Sequence, residues 1–355
     1  MRAAHSLRNE SKIGMMGAFL LATLLLSFSA GARADSDCRE VDLREELGEP
    51  RAQDGTSWCY AHSAADLLSQ AVGARVSSFD LATTYLLADE TKLRKIQKPQ
   101  VRDYLRQHPD FEMRVQESRK EEDAYKPEHI LAADGMVDTG GKDDEAIMLS
   151  NVKGLCLADK LPSGEANLNK YLDAIRDNYL NEDKQDIPEG PIGAVVNDVA
   201  KIMARAFQKW VDQKCGKRLQ PLKPILPLEI SVAESLEEYK HVVSSGEIRP
   251  AEARATLLTE LNRVLDSGKA AAIAYESYDL YPKGDPKGTH PYGDHSSVVA
   301  ARKKINGVCH YFVRNHYGAT CGYRPEFEPL CEKANGGVWV PGDALTHLYS
   351  VISVR

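Results

Sequence analysis

Gln53-Asp-Gly-Thr-Ser-Trp-Cys-Tyr-Ala-His-Ser-Ala64 is the stretch on which the reading of this 355-residue chain turns. Ser57 carries the short hydroxyl of a helix N-cap, and Cys59, Tyr60, Ala61, Ala64, Leu67, Leu68, Ala71 and Val72 then recur with helical spacing until Gly73. The pattern predicts a helix with Cys59 in its first turn. There the positive end of the helix dipole favours the thiolate, which is the nucleophilic form. Gln53, six residues upstream on the incoming loop, could aim its side-chain amide at the point addressed by the backbone N–H of Cys59. Two donors converging beside a nucleophile make an oxyanion hole. A buried structural cysteine with a surface glutamine fits the same residues, and the segment alone does not separate the two.

The order Gln-x-x-x-x-x-Cys-[Trp/Tyr]-Ala-x-Ser resembles the active-site segment of the papain-like cysteine peptidases, a family whose His and Asn lie far downstream of the cysteine. Val41-Asp42-Leu43-Arg44 is similar to the Val-Asp-Trp-Arg with which mature members often begin, with Leu in place of Trp. The resemblance implies a base and an amide to be sought in the second half of the chain.

Ahead of this stretch, Arg2, Arg8 and Lys12 precede an apolar run from Met15 to Phe28 and the small residues of Ala32-Arg33-Ala34. That order is a secretory signal, with cleavage expected after Ala34. Its apolar run is too short for a comfortable membrane span. Residues 35–355 then hold 41 Lys and Arg against 51 Asp and Glu, a net charge of −10. So acidic a chain is a poor partner for nucleic acid or an anionic membrane. Seven cysteines in an exported protein imply disulfides with one thiol left over. Cys59 is the candidate free thiol, while Cys38, Cys156, Cys215, Cys309, Cys321 and Cys331 allow roughly 15 connectivities. There is no Cys-x-x-Cys and no His-Glu-x-x-His, so a zinc site has little support.

Along the chain, residues 77–87 predict a second capped helix, and the densely charged residues 91–128 an exposed helical insertion. Asp138-Thr-Gly140-Gly141 is a glycine turn leading into the helical pattern at Glu145. In the papain-like family a Cys-x-Gly-Gly turn here offers backbone groups to an extended substrate, which implies the same for Gly140 and Gly141. Asp138 stands where the family has one cysteine and Thr56 where it has the other, so both halves of that disulfide are missing together. Residues 165–250 read as a second, largely helical insertion. A helix is expected over 250–265, followed by short apolar or alternating strands at 270–275, 296–301, 309–314 and 348–354.

A thiolate needs a base that returns the proton to the leaving amine. His295, in Gly293-Asp-His-Ser-Ser-Val-Val-Ala-Ala301, opens an apolar strand and resembles the family's histidine. His62 is the competitor, one turn after Cys59 on the same helix, and is read as a satisfied core side chain. Twenty residues after His295, Tyr311-Phe-Val-Arg-Asn315-His-Tyr-Gly318-Ala-Thr-Cys-Gly322 is similar to the family's aromatic-x-x-x-Asn-Ser-Trp-Gly-x-x-Trp-Gly. The resemblance implies that Asn315 accepts the second ring N–H of His295 and that Tyr317 replaces the tryptophan covering that contact, at the edge of the substrate site. His295 and Asn315 stand 236 and 256 residues after Cys59, against roughly 130 to 150 in the family. The two charged stretches between the motifs can hold the excess.

The expectation is an α+β, papain-like two-lobed fold. A helical lobe would cover about 38–160 and an antiparallel, barrel-like strand lobe about 250–355, with residues 1–34 the signal and 35–355 the peptidase domain. The implied activity is an exported, monomeric cysteine peptidase acting on polypeptides through Cys59, His295, Asn315 and Gln53. It needs no cofactor or metal, and it would be restrained by the second insertion or by a protein inhibitor, because only a few residues separate Ala34 from Val41. The same site serves an acyltransferase or amidase, and a catalytically silent papain-like binding protein is the reading from another class.

Overall fold

Helix α1 (Cys59–Val72) buries almost its whole length, from Tyr60 to Ser69, and stops where Gly73 turns left-handed at φ 63°. A computed structural model of the chain describes residues 38–53, 58–86, 141–163, 209–231, 251–282 and 294–355. The expected signal, Ser57, the 91–128 insertion, Asp138 to Gly140 and most of 165–250 lie outside these residues. Trp58, not Ser57, occupies the N-cap position of α1, and it makes no side-chain cap, so Cys59 is the first helical residue. Helix α2 (Ser78–Leu86) does have a hydroxyl cap, since the Asp80 N–H donates to Ser77 Oγ at 3.2 Å. It packs with α1 and with α3 (Asp143–Lys153) into one helical group.

Beside the helices lies an antiparallel sheet. Its strands are β1 (Val41–Asp42), β2 (Pro227–Ser231), β3 (Ala271–Glu276), β4 (Asp294–Ile305), β5 (Val308–Arg314), β6 (Cys331–Glu332), β7 (Gly337–Pro341) and β8 (Leu348–Val354). They run in the order β2-β8-β3-β4-β5-β7-β6, with β1 added on β4. Helix α4 (Ala251–Asp266) covers the sheet, and α1 packs on β4. The chain forms the mixed class expected from the sequence, helices packed beside an antiparallel sheet whose β1 precedes α1 and whose β2 precedes α4.

One expectation needs correcting. Residues 227–231 belong to no helical insertion, because they form β2, paired residue by residue with β8 from Pro227↔Val354 to Ser231↔Ser350. Proline is tolerated as the first residue of an edge strand, and the following Leu-Glu-Ile-Ser alternates. Helical residues 209–215, upstream of it, are tied back to the helical group by the Cys156–Cys215 disulfide. The other two bridges are Cys38–Cys309 and Cys321–Cys331, and Cys59 is the free thiol.

Candidate active site

Cys59 opens α1, where the unpaired N–H groups of a helix end point outward. Its sulfur receives two backbone N–H donors, from Tyr60 on its own helix and from Ser296 on β4. Cys59 is half-buried, and desolvation by the protein packed around it pushes the thiol up to about 12, with Asp143 and Asp294 adding to the rise and the two N–H groups opposing it. A thiol held that high is inert at neutral pH unless a neighbouring base takes its proton.

His295 is buried on β4 immediately before Ser296. Its Nε2 lies 2.9 Å from Asn315 Oδ1. Tyr317 stacks on the imidazole at 5.5 Å and 17°, and Tyr275, directly opposite His295 in the β3–β4 ladder, meets it edge-on at 5.7 Å. An ionised Cys59 sulfur would oppose the ionisation of both phenols. Asn315 is itself held: its Nδ2 donates to Tyr281 Oη, its N–H to the carbonyl of Gly336 at 3.0 Å, and its Oδ1 also accepts the His316 N–H at 2.7 Å. The amide is therefore fixed with its oxygen toward the ring.

Gln53 is buried, and its loop is sewn to the segment after Asn315. The Gln53 N–H donates to the His316 carbonyl at 2.6 Å, Ala52 bridges Tyr317, and the Gly318 N–H donates to the Arg51 carbonyl at 2.9 Å. Gly318 sits at φ 72°, which explains the glycine in that motif. Of the glycine turn, Gly140 lies outside the described residues. Gly141 precedes α3 with the Tyr60 ring packed against it, so closely that a Cβ would come within 2.7 Å of that ring.

Behind α1, Asp66 gathers the interior charges. Arg51 Nε donates to its Oδ1 at 2.5 Å, while Arg314 Nε and His316 Nε2 lie 3.3 and 3.5 Å from its Oδ2. Burial works to raise this carboxyl, and Arg51, Arg314 and His316 overcome it, holding the group far below the usual carboxylate range. His62 is buried with its ring 5.5 Å from that of His316, and burial followed by the charges of His316 and Arg51 lowers its basicity well below normal. It is the core side chain expected, although its Nδ1 has no hydrogen-bond partner among the described residues.

Three groups at the site were not singled out from the sequence. Ser296 Oγ lies 2.7 Å from Asp143 Oδ1 and 2.8 Å from Ser63 Oγ, which links α3, α1 and β4 next to the sulfur. Tyr281 anchors Asn315. Asp143 stands in Asp143-Asp144-Glu145, an acidic first turn that reads as an ordinary complement to the helix dipole. Nothing in the sequence marks its first member as buried. The one group of metal-ligand type among the described residues is Asp80 with Cys156 and Cys215. The two sulfurs are bonded to each other, and Asp80 is held by Arg218. No described helix is long and apolar enough to cross a membrane.

No protein-family model matches the chain, and no curated protein does. Among solved structures it is similar to the ragweed pollen allergen Amb a 11, a cysteine protease in its proform, at 11% identity over 90% of this chain and 67% of that one, with a TM-score of 0.39. Digestive procathepsin L 3 of Tenebrio molitor is 12% identical over 88% and 69%, with a TM-score of 0.36. PepW from Lactobacillus rhamnosis is 12% identical over 96% and 88%, with a TM-score of 0.37. The solved structures that the chain is similar to are thus papain-like cysteine proteases, the family its motifs resemble.

Proposed function

We propose that this protein is an exported cysteine peptidase that hydrolyses peptide bonds with Cys59 as nucleophile. The observation that carries the reading is the buried His295 Nε2···Asn315 Oδ1 contact of 2.9 Å, one residue from the Ser296 N–H that donates to the free sulfur. Asn315 accepts the Nε2 proton, so Nδ1 faces the thiol as base. Proton transfer gives a thiolate and an imidazolium, and the sulfur then attacks the peptide carbonyl carbon. The oxyanion is taken by the Cys59 N–H and the Gln53 side-chain amide. Collapse breaks the C–N bond, His295 returns its proton to the departing amine, and water activated by His295 hydrolyses the thioester. Gly140 and Gly141 lend backbone groups to the extended substrate, and Tyr317 shields the His295–Asn315 contact from water.

An epoxide thiol trap followed by peptide mapping tests the assignment. Labelling is expected at Cys59, absent in Cys59→Ala and slowed in His295→Ala. A folded sample that takes no label would leave a binding protein as the better reading. Digestion of a peptide library, with cleavage products read by mass spectrometry, separates a hydrolase from a transferase using the same sulfur.

A further inference from the structure

Ser296 is pinned on three sides. Its N–H donates to the Cys59 sulfur, and its hydroxyl lies 2.7 Å from Asp143 Oδ1 and 2.8 Å from Ser63 Oγ, one turn along α1 from Cys59. A serine hydroxyl has one proton, so it cannot donate to both neighbours at once. Two directions of donation satisfy the three groups, and only one of them needs a proton on Asp143 Oδ1. With Asp143 neutral, the carboxyl O–H donates to Ser296 Oγ and Ser296 donates to Ser63. With Asp143 ionised, Ser296 must donate to the carboxylate and Ser63 must turn to donate to Ser296.

We propose that Asp143 is a positioning residue for the Cys59 sulfur, acting through Ser296, and that its neutral form is the one that permits the thiolate. This rests on Cys59 being the reactive sulfur of the proposed peptidase. The groups facing Asp143 favour its proton. Asp144 on its own helix and Glu229 on β2 are acidic, while β4 presents Ser296 and α1 presents Ser63. Burial foremost, with Asp144 and Glu229 adding to it, pushes the Asp143 carboxyl up to about 8, against the opposing pull of the Ser296 hydroxyl. The sulfur itself feels Asp143 from α3 and Asp294 from β4, and His295 is the cation formed when it ionises. Once Asp143 ionises, a second negative charge sits beside the forming thiolate, and the hydroxyl chain that orients Ser296 reverses. The site is thereby confined to acid and neutral conditions.

The rate of Cys59 alkylation by iodoacetamide reads this directly, since the other six cysteines are bridged. Wild type and Asp143→Asn, whose amide keeps a donor toward Ser296 but cannot ionise, are expected to react alike near about pH 6. Near about pH 9 the variant is expected to react about tenfold faster, the effect of one pKa unit of coupling. Superimposable pH profiles would overturn the inference, as would a variant slower at alkaline pH. Glu229→Gln supplies an independent readout if Asp143→Asn folds poorly: by removing a negative charge that helps Asp143 keep its proton, it should move the alkaline loss to lower pH. An unmoved profile there counts against the inference. Peptide cleavage measured on the same samples keeps the two ideas apart. Alkylation that differs as expected without any cleavage sinks the peptidase and leaves the role of Asp143 standing, whereas identical alkylation sinks that role whatever the cleavage.

Discussion

Asp66 and Asp143 are both buried carboxyls, yet they are driven to opposite protonation states. Asp66 faces two guanidiniums and stays ionised, whereas Asp143 faces acids and a hydroxyl and tends to keep its proton. Replacing Asp66 by Asn leaves Arg51 and Arg314 buried without their counter-charge, and a loss of about 3–5 kcal/mol in urea unfolding is expected. For Asp143 the sign is reversed. Its folded value lies above the unfolded one, so the folded state binds more protons between the two, and its contribution to stability, full below about 3.9, is lost as pH rises toward about 8. The melting temperature of Asp143→Asn relative to wild type is therefore expected to climb across that window and level off above it. A constant offset would show that the carboxyl is ionised throughout. That His295 and Asn315 would meet was legible because their motifs are local and the resemblance pairs them. Asp143 and Asp66 were not, since what sets their state comes from residues far away in the chain.

The same division holds for the elements. Helices α1, α2 and α4 and strands β3, β4, β5 and β8 are long enough to display a period. Strands β1 and β6 have two residues each and no period to display, and β2 hides in a proline-rich stretch. Strand β7, Gly337-Val-Trp-Val-Pro341, is buried for most of its length, so its run lacks the alternation that marks a half-exposed strand. Where elements meet, close fit replaces pattern. Tyr60 of α1 packs against Gly141 ahead of α3, and Gly141→Ala should cost about 1–3 kcal/mol through overpacking. Chemical denaturation measures that cost, and restoration by the second change Tyr60→Leu would trace it to the ring.

At the scale of the whole molecule, covalent ties reach across the fold. The Cys156–Cys215 bridge joins residues 59 apart and holds the helical 209–215 segment and the approach to β2 against the helical group. Its removal as Cys156→Ser with Cys215→Ser should cost about 2–4 kcal/mol, read as a lower denaturation midpoint. Cys38–Cys309 fastens the start of the described chain to β5, where Cys309 lies opposite Lys304. Lys304 follows His295 by nine residues on β4, a run of about 30 Å at ~3.3 Å per residue. A fluorophore or affinity handle spliced ahead of Cys38 would consequently be moored at the far margin of the sheet, where it could report on the molecule without crowding the sulfur.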